Sequence, residues 1–191
     1  MRPALLLVLA ACFAPGCASS GTDGGVDVSH GNAIAQARLE EQVEEMRYMR
    51  GEELIRRMET LARRGDDAVP ALEKGAASDD WLVRMGCMWI LGAMGDRRNI
   101  PALQRGLADG VAEVRYQAAS SLVKLGDGRG FRVLVDGLAD GDIQNRFKCF
   151  EALRNATGRD FGYRHDAAPT DRRMSVGRWL EWLDSLGPSA L

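Results

Sequence analysis

A period of 31 residues runs through the middle of this 191-residue chain. Val83-Arg84, Val114-Arg115 and Asn145-Arg146 stand one period apart, as do Leu72, Leu103 and Leu134, and Leu91, Leu122 and Leu153. Pro70 and Pro101 keep the same register, and so do Asp109-Gly110 with Asp140-Gly141 and Gly95-Asp96 with Gly126-Asp127. A fixed repeat of this length marks a solenoid, whose units bury their apolar faces only against their neighbours. Few other features constrain the fold as tightly.

The unit from Ile100 to Asp127 shows how one period is built. Pro101 sits where a first helical turn tolerates it. Ala102, Leu103, Leu107 and Ala108 follow a helical spacing, and Asp109-Gly110 interrupts it. A second helix is expected from about Val111 to Leu125, with Val114, Ala118, Ser121 and Leu122 on one face and Gly126 as a left-handed cap. Cys87, Ala118 and Cys149 share one register position and read as a column of small buried residues where helices approach closely. Stacked helix pairs advance roughly 10 Å per repeat, which puts Cys87 and Cys149 beyond the reach of a disulfide.

Val-Arg, then small residues, then Leu, Gly-Asp and Pro-Ala-Leu is a recognisable order, here Val83-Arg84, Leu91-Gly92, Gly95-Asp96 and Ile100-Pro101-Ala102-Leu103. It resembles HEAT-like repeats of the PBS-lyase type. The resemblance spans about residues 66–157 as three repeats, and it implies an all-α fold: a short right-handed α-solenoid of helix pairs with capping helices at both ends. Residues 33–65 are expected to form the amino-terminal cap. Leu39, Val43 and Met46 make one stripe there, Leu54, Met58 and Leu61 a second, and the Glu40-Glu41 and Glu44-Glu45 pairs suit a polar outer face. Residues 158–191 are expected to close the other end. Thr157-Gly158 to Phe161-Gly162-Tyr163, followed by Trp179-x-x-Trp182, resembles a tail found after such repeats in some bacterial proteins. Val176, Trp179, Leu180 and Leu183 are spaced for one helix face.

The first 17 residues differ in kind. Met1-Arg2 gives a positive start, Pro3 to Ala11 is apolar but too short to span a bilayer, and Cys12 and Cys17 follow. Leu9-Ala10-Ala11-Cys12 resembles a bacterial lipobox, and Cys17 is followed by the polar Ala18-Ser19-Ser20-Gly21. Cys17 is the expected lipidation site, Cys12 is the second choice, and an ordinary signal peptide is the alternative to both. Residues 18–32, rich in Gly, Ser and Asp, are expected to be a flexible tether. The implied address is the bacterial cell envelope, as an outer-membrane lipoprotein facing the periplasm and touching the membrane only through its N-terminal lipid.

Chemistry is sparse. With 25 Lys+Arg against 27 Asp+Glu there is no basic surplus of the kind nucleic acid rewards, and the two histidines, His30 and His165, do not build a His-rich metal centre. Some HEAT-like enzymes hold iron on paired His-Glu dipeptides, which this sequence lacks. Asp160-Phe161-Gly162 spells a kinase triplet without its companion motifs, and Gly126 to Gly130 lacks the Lys-Ser/Thr of a phosphate loop. No cofactor and no catalytic residues are expected. Arg84, Arg115 and Arg146 form a ladder that repeats in step with Asp109 and Asp140, which favours structural pairing over an anion stripe.

The residues expected to bind a protein partner are Met85, Tyr116 and Phe147, one period apart and each directly after a ladder arginine. Aligned large apolar groups on a solvent face mark a binding surface, and Trp89, one turn on, is expected to extend it. The function expected is a non-catalytic protein–protein interaction scaffold with an unidentified protein partner. A structural spacer lipoprotein is a second reading, and a bilin-lyase-like enzyme or chaperone subunit, which the family resemblance allows, is a third.

Overall fold

The computed structural model describes residues 28–187, all helical or irregular with no strand among them. Nine α-helices follow one another: α1 Val28–Glu44, α2 Gly51–Ala62, α3 Val69–Gly75, α4 Trp81–Ala93, α5 Ile100–Gly106, α6 Ala112–Lys124, α7 Arg129–Gly137, α8 Ile143–Thr157 and α9 Pro169–Leu186. Helix α3 packs on α1, α4 on α2, α6 on both α4 and α5, and α8 on α6 and α7. First helices of successive pairs thus stack in one layer and second helices in another, the short α-solenoid the period requires.

The register positions carry the packing. Leu72, Leu91, Leu103, Leu122 and Leu153 are fully buried, and Leu134 nearly so. Truncating a leucine in such a site typically costs about 2–5 kcal/mol, so these columns dominate stability. Helix α6 is the wall between two core clusters. Val114, Ala118 and Leu122 belong to the amino-terminal one, and Ala119 and Val123 to the one completed by α7, α8 and α9.

Cys87, Ala118 and Cys149 are fully buried, and both cysteines are free thiols. Burial pushes the Cys87 thiol well up and that of Cys149 up to about 12. A second column faces this one. Gly75, Gly106 and Gly137, also 31 apart, end the first helices of the three repeats. A Cβ on Gly75 would lie 2.8 Å from Cys87 Sγ, and one on Gly106 2.8 Å from Ala118 Cβ. A Cβ on Gly137 would meet Cys149 Sγ more closely still, and Tyr116 Cε1 at 2.8 Å. Glycine in one helix therefore lets a small side chain of the next lie against backbone.

The turns are punctuated as the sequence implies. Gly65, Gly95, Gly126 and Gly158 all have positive φ at the ends of the second helices. The second helices begin on side-chain caps where an acid is present. Asp80 accepts from the backbone N–H groups of Leu82 and Val83, and Asp142 from those of Gln144 and Asn145. The equivalent position in the middle repeat is Val111, which has no such oxygen. Asp109 compensates in part, its carboxylate accepting from the Val111 N–H at 2.8 Å.

Two boundaries differ from expectation. The tether expected over residues 18–32 overlaps α1, which starts at Val28. Leu39, Val43 and Met46 dock the far end of α1 in the core, and helix propagates from such a docked nucleus at little cost through the exposed turns before it. At the other end, α9 packs on α7 through Trp179 and Leu183, both buried. Tyr163 in the preceding loop is buried too, its hydroxyl donating to the Leu138 carbonyl at 2.6 Å. That loop covers the side of α8 that a following second helix would occupy.

Candidate functional site

The ladder arginines turn inward. Arg84, Arg115 and Arg146 each donate through Nη1 to the carbonyl six residues upstream, on Ser78, Asp109 and Asp140, at 2.9, 2.7 and 2.8 Å. Arg146 also donates to Gly141 and His165 carbonyls. The aspartate side chains reach in the opposite sense, back to the preceding repeat. Arg84 grips the Asp109 carboxylate with two bonds of 2.7 and 3.0 Å, and the Arg84 guanidinium holds that carboxyl below its usual range. Asp140 instead accepts from the Tyr116 hydroxyl at 2.7 Å. Burial and the Asp140 carboxylate together push the Tyr116 phenol upward. These contacts join turns to helices and repeat to repeat, and they leave the guanidiniums committed.

Beside this ladder lies a groove of about 380 Å³, crossing α4, α6 and α8. Met85, Tyr116 and Phe147 all line it, so the three aligned residues are brought to one surface. Their environments differ. Phe147 is 42% exposed, with its ring edge-on to His165 at 5.0 Å. Met85 is half-buried against the first core cluster. Tyr116 is half-buried, its ring against Gly137 and its hydroxyl spent on Asp140, so it serves the fold as well as the groove.

Trp89, expected to extend the stripe, does not line the groove. It is half-buried and packed against the amino-terminal core cluster. One turn along a helix rotates a side chain by about 40°, which here carries position 89 toward the preceding repeat. The residue that does extend the groove is Trp81, 44% exposed at the start of α4. The sequence signal for it was spacing in the other direction: Trp81 precedes Met85 by four, as Ile143, 43% exposed, precedes Phe147. The polar part of the groove comes from Gln117, Ser120, Asn155, Glu113, Lys148 and Glu151.

Trp179 and Trp182 form a second aromatic group with Phe161 and Phe131. Trp179 meets Phe161 at 4.7 Å and Trp182 at 5.5 Å, and Arg159 lies over Phe161 and Trp182. Trp179 is fully buried, which makes it a packing residue of the cap. Cys12 and Cys17, the expected lipidation sites, lie outside the described residues. Among the described residues no helix is long and apolar enough to cross a membrane, and no group of three or more His, Cys, Asp or Glu is placed to hold a metal ion.

Comparison with known proteins matches a family model described as HEAT repeats over residues 53–122 and 69–154. No curated protein matches the chain. Among solved structures, one of human deoxyhypusine hydroxylase in complex with glycerol superposes with a TM-score of 0.45 at 18% identity. That match covers 80% of this chain and 65% of the other, so this chain spans just under two thirds of the hydroxylase's length.

Proposed function

The chain belongs to the HEAT-repeat family, and we propose that this member is a non-catalytic scaffold for protein–protein interaction, held at a bacterial membrane by an acylated cysteine and facing the periplasm. The observation that carries the interaction reading is the groove across α4, α6 and α8. Trp81, Met85, Tyr116 and Phe147 converge there from three successive repeats, and Trp81 and Phe147 keep more than two fifths of their surface in solvent. Exposed aromatic side chains gathered in one concavity are the usual anchors of a binding surface, since they bring large apolar area with little entropy to lose. A repeat scaffold supplies them on rigid helices rather than on loops.

The membrane part of the reading rests on the sequence: a basic start, the apolar run Pro3 to Ala11, then Cys12 and Cys17 with a polar stretch after them. Acylation of Cys17, with Cys12 as the second choice, would supply the two or more lipid chains that stable anchoring needs.

Crosslinking and pull-down from the native envelope test the interaction, comparing the unaltered protein with Phe147→Ala. A partner captured by the first and lost with the second is the expected result. Equal capture by both removes the groove from the function. Intact-mass analysis of the mature protein tests the anchor. A diacylglyceryl adduct on the amino-terminal cysteine is expected, and an unmodified soluble form refutes it.

A further inference from the structure

The groove lies beside the edge where turns lead into the second helices, and the charge presented there is negative. The ladder guanidiniums of Arg84 and Arg146 are turned to backbone carbonyls, with the Arg84 side chain 16% exposed and Arg146 buried. Arg115 is likewise tied to the Asp109 carbonyl. The carboxylates point the other way. The Asp79 side chain is 87% exposed, Asp142 is exposed, and Glu113 lines the groove itself. Asp142 sits at a helix start, but a helix N-terminus carries only about half a positive charge, so a full carboxylate leaves that edge negative. Lys148 is the one ammonium in the groove, and Glu151 beside it is paired with Arg154 at 2.7 Å.

The apolar residues are arranged in step with this edge. Trp81 and Met85 on α4, Tyr116 on α6, and Ile143 and Phe147 on α8 run across three stacked helices. At the usual helix spacing that row is roughly 20 Å long. Fourteen residues of α-helix cover about 21 Å, and positions i, i+4, i+7 and i+11 place apolar groups along one side of it.

From this complementarity we infer that the groove docks a basic amphipathic helix of a partner protein, its apolar side against Trp81, Met85, Tyr116 and Phe147 and its Lys or Arg side chains beside Asp79, Glu113 and Asp142. The inference deepens the interaction reading and rests on it. A negative rim also disfavours an anionic lipid surface as the occupant of this face.

Two synthetic 18-residue peptides test it, one with a leucine face and a lysine face, the other with glutamates replacing the lysines. Each is titrated by calorimetry into the full-length protein, into Phe147→Ala, and into a Glu113→Gln, Asp79→Asn double variant, with circular dichroism confirming the fold of each. The expected result is one-to-one binding of the lysine peptide, at least tenfold tighter than the glutamate peptide. Phe147→Ala should weaken it at least tenfold, and the charge variant severalfold with a smaller salt dependence. Equal affinity for both peptides overturns the inference, as does lysine-peptide binding that Phe147→Ala leaves unchanged. Phe147-dependent self-association without peptide binding overturns it in favour of a second copy of this chain. If neither peptide binds but Phe147→Ala still loses the partner in the envelope pull-down, the scaffold reading stands and the helix class fails.

Discussion

Alanine in place of glycine should have opposite signs at Gly137 and Gly177, and the difference measures how closely the repeats are stacked. Gly177 lies inside α9 with nothing within 4 Å of where a Cβ would be built. Alanine there gains helix preference alone, about 0.5–1 kcal/mol. Gly137 ends α7, and its Cβ would stand 2.8 Å from Tyr116 Cε1 and closer still to Cys149 Sγ. Both neighbours belong to other helices of a packed core, α6 and α8, so neither swings away freely. Overpacking of that kind typically costs about 1–3 kcal/mol, and the helix preference at a last-turn position offsets about 0.5. Gly137→Ala should therefore lose roughly 1–2 kcal/mol. For a chain of this size that corresponds to a fall of about 3–6 °C in Tm, against a rise of about 2–3 °C for Gly177→Ala. Thermal unfolding followed by circular dichroism at 222 nm reads both. Adding Cys149→Ala to Gly137→Ala should recover part of the loss beyond additivity, because the sulfur that obstructs the methyl is gone. If Gly137→Ala raises Tm, or if Cys149→Ala combines with it additively, the reasoning that α7 and α8 meet through backbone at this glycine is wrong.

Three further outcomes follow from the same contacts. Tyr116→Phe keeps the ring against Gly137 but leaves the Asp140 carboxylate without its donor, and should cost about 1.5 kcal/mol in a denaturant titration with lysine-peptide binding unchanged. Asp142→Ala removes an acceptor for two backbone N–H groups and should cost about 1 kcal/mol, and Asp80→Ala the same, with each loss read from the unfolding midpoint in urea. The Asp109 carboxyl is held below its ordinary value by Arg84, so its contribution to stability is present above the unfolded value of about 3.9 and is lost as pH falls through the folded one. Asp109→Asn should flatten the acid limb of a plot of stability against pH while lowering stability at neutral pH, and an unchanged acid limb refutes the pairing.

The period alone determined the architecture. Leucines, prolines and glycines that recur every 31 residues demand a unit that buries the same face each time, and stacked helix pairs meet that demand with turns where Asp-Gly and Gly-Asp fall. The Cys87–Ala118–Cys149 column was legible for the same reason, since register is a property of sequence. What tertiary structure decided is how far each side chain rotates and what lies opposite. Trp89 and Trp81 are equally aromatic and equally close to Met85 in sequence, yet the helix turns one onto the core and the other onto the groove. Tyr116 stands in the same column as Phe147, but the next repeat offers it an aspartate for its hydroxyl and a glycine for its ring. The ladder arginines show the same limit. Their spacing from Asp109 and Asp140 was visible, but not that the carbonyl rather than the carboxylate takes the guanidinium, nor that the carboxylates reach back one repeat. Those choices depend on distances between helices, which a one-dimensional period leaves open and close packing closes.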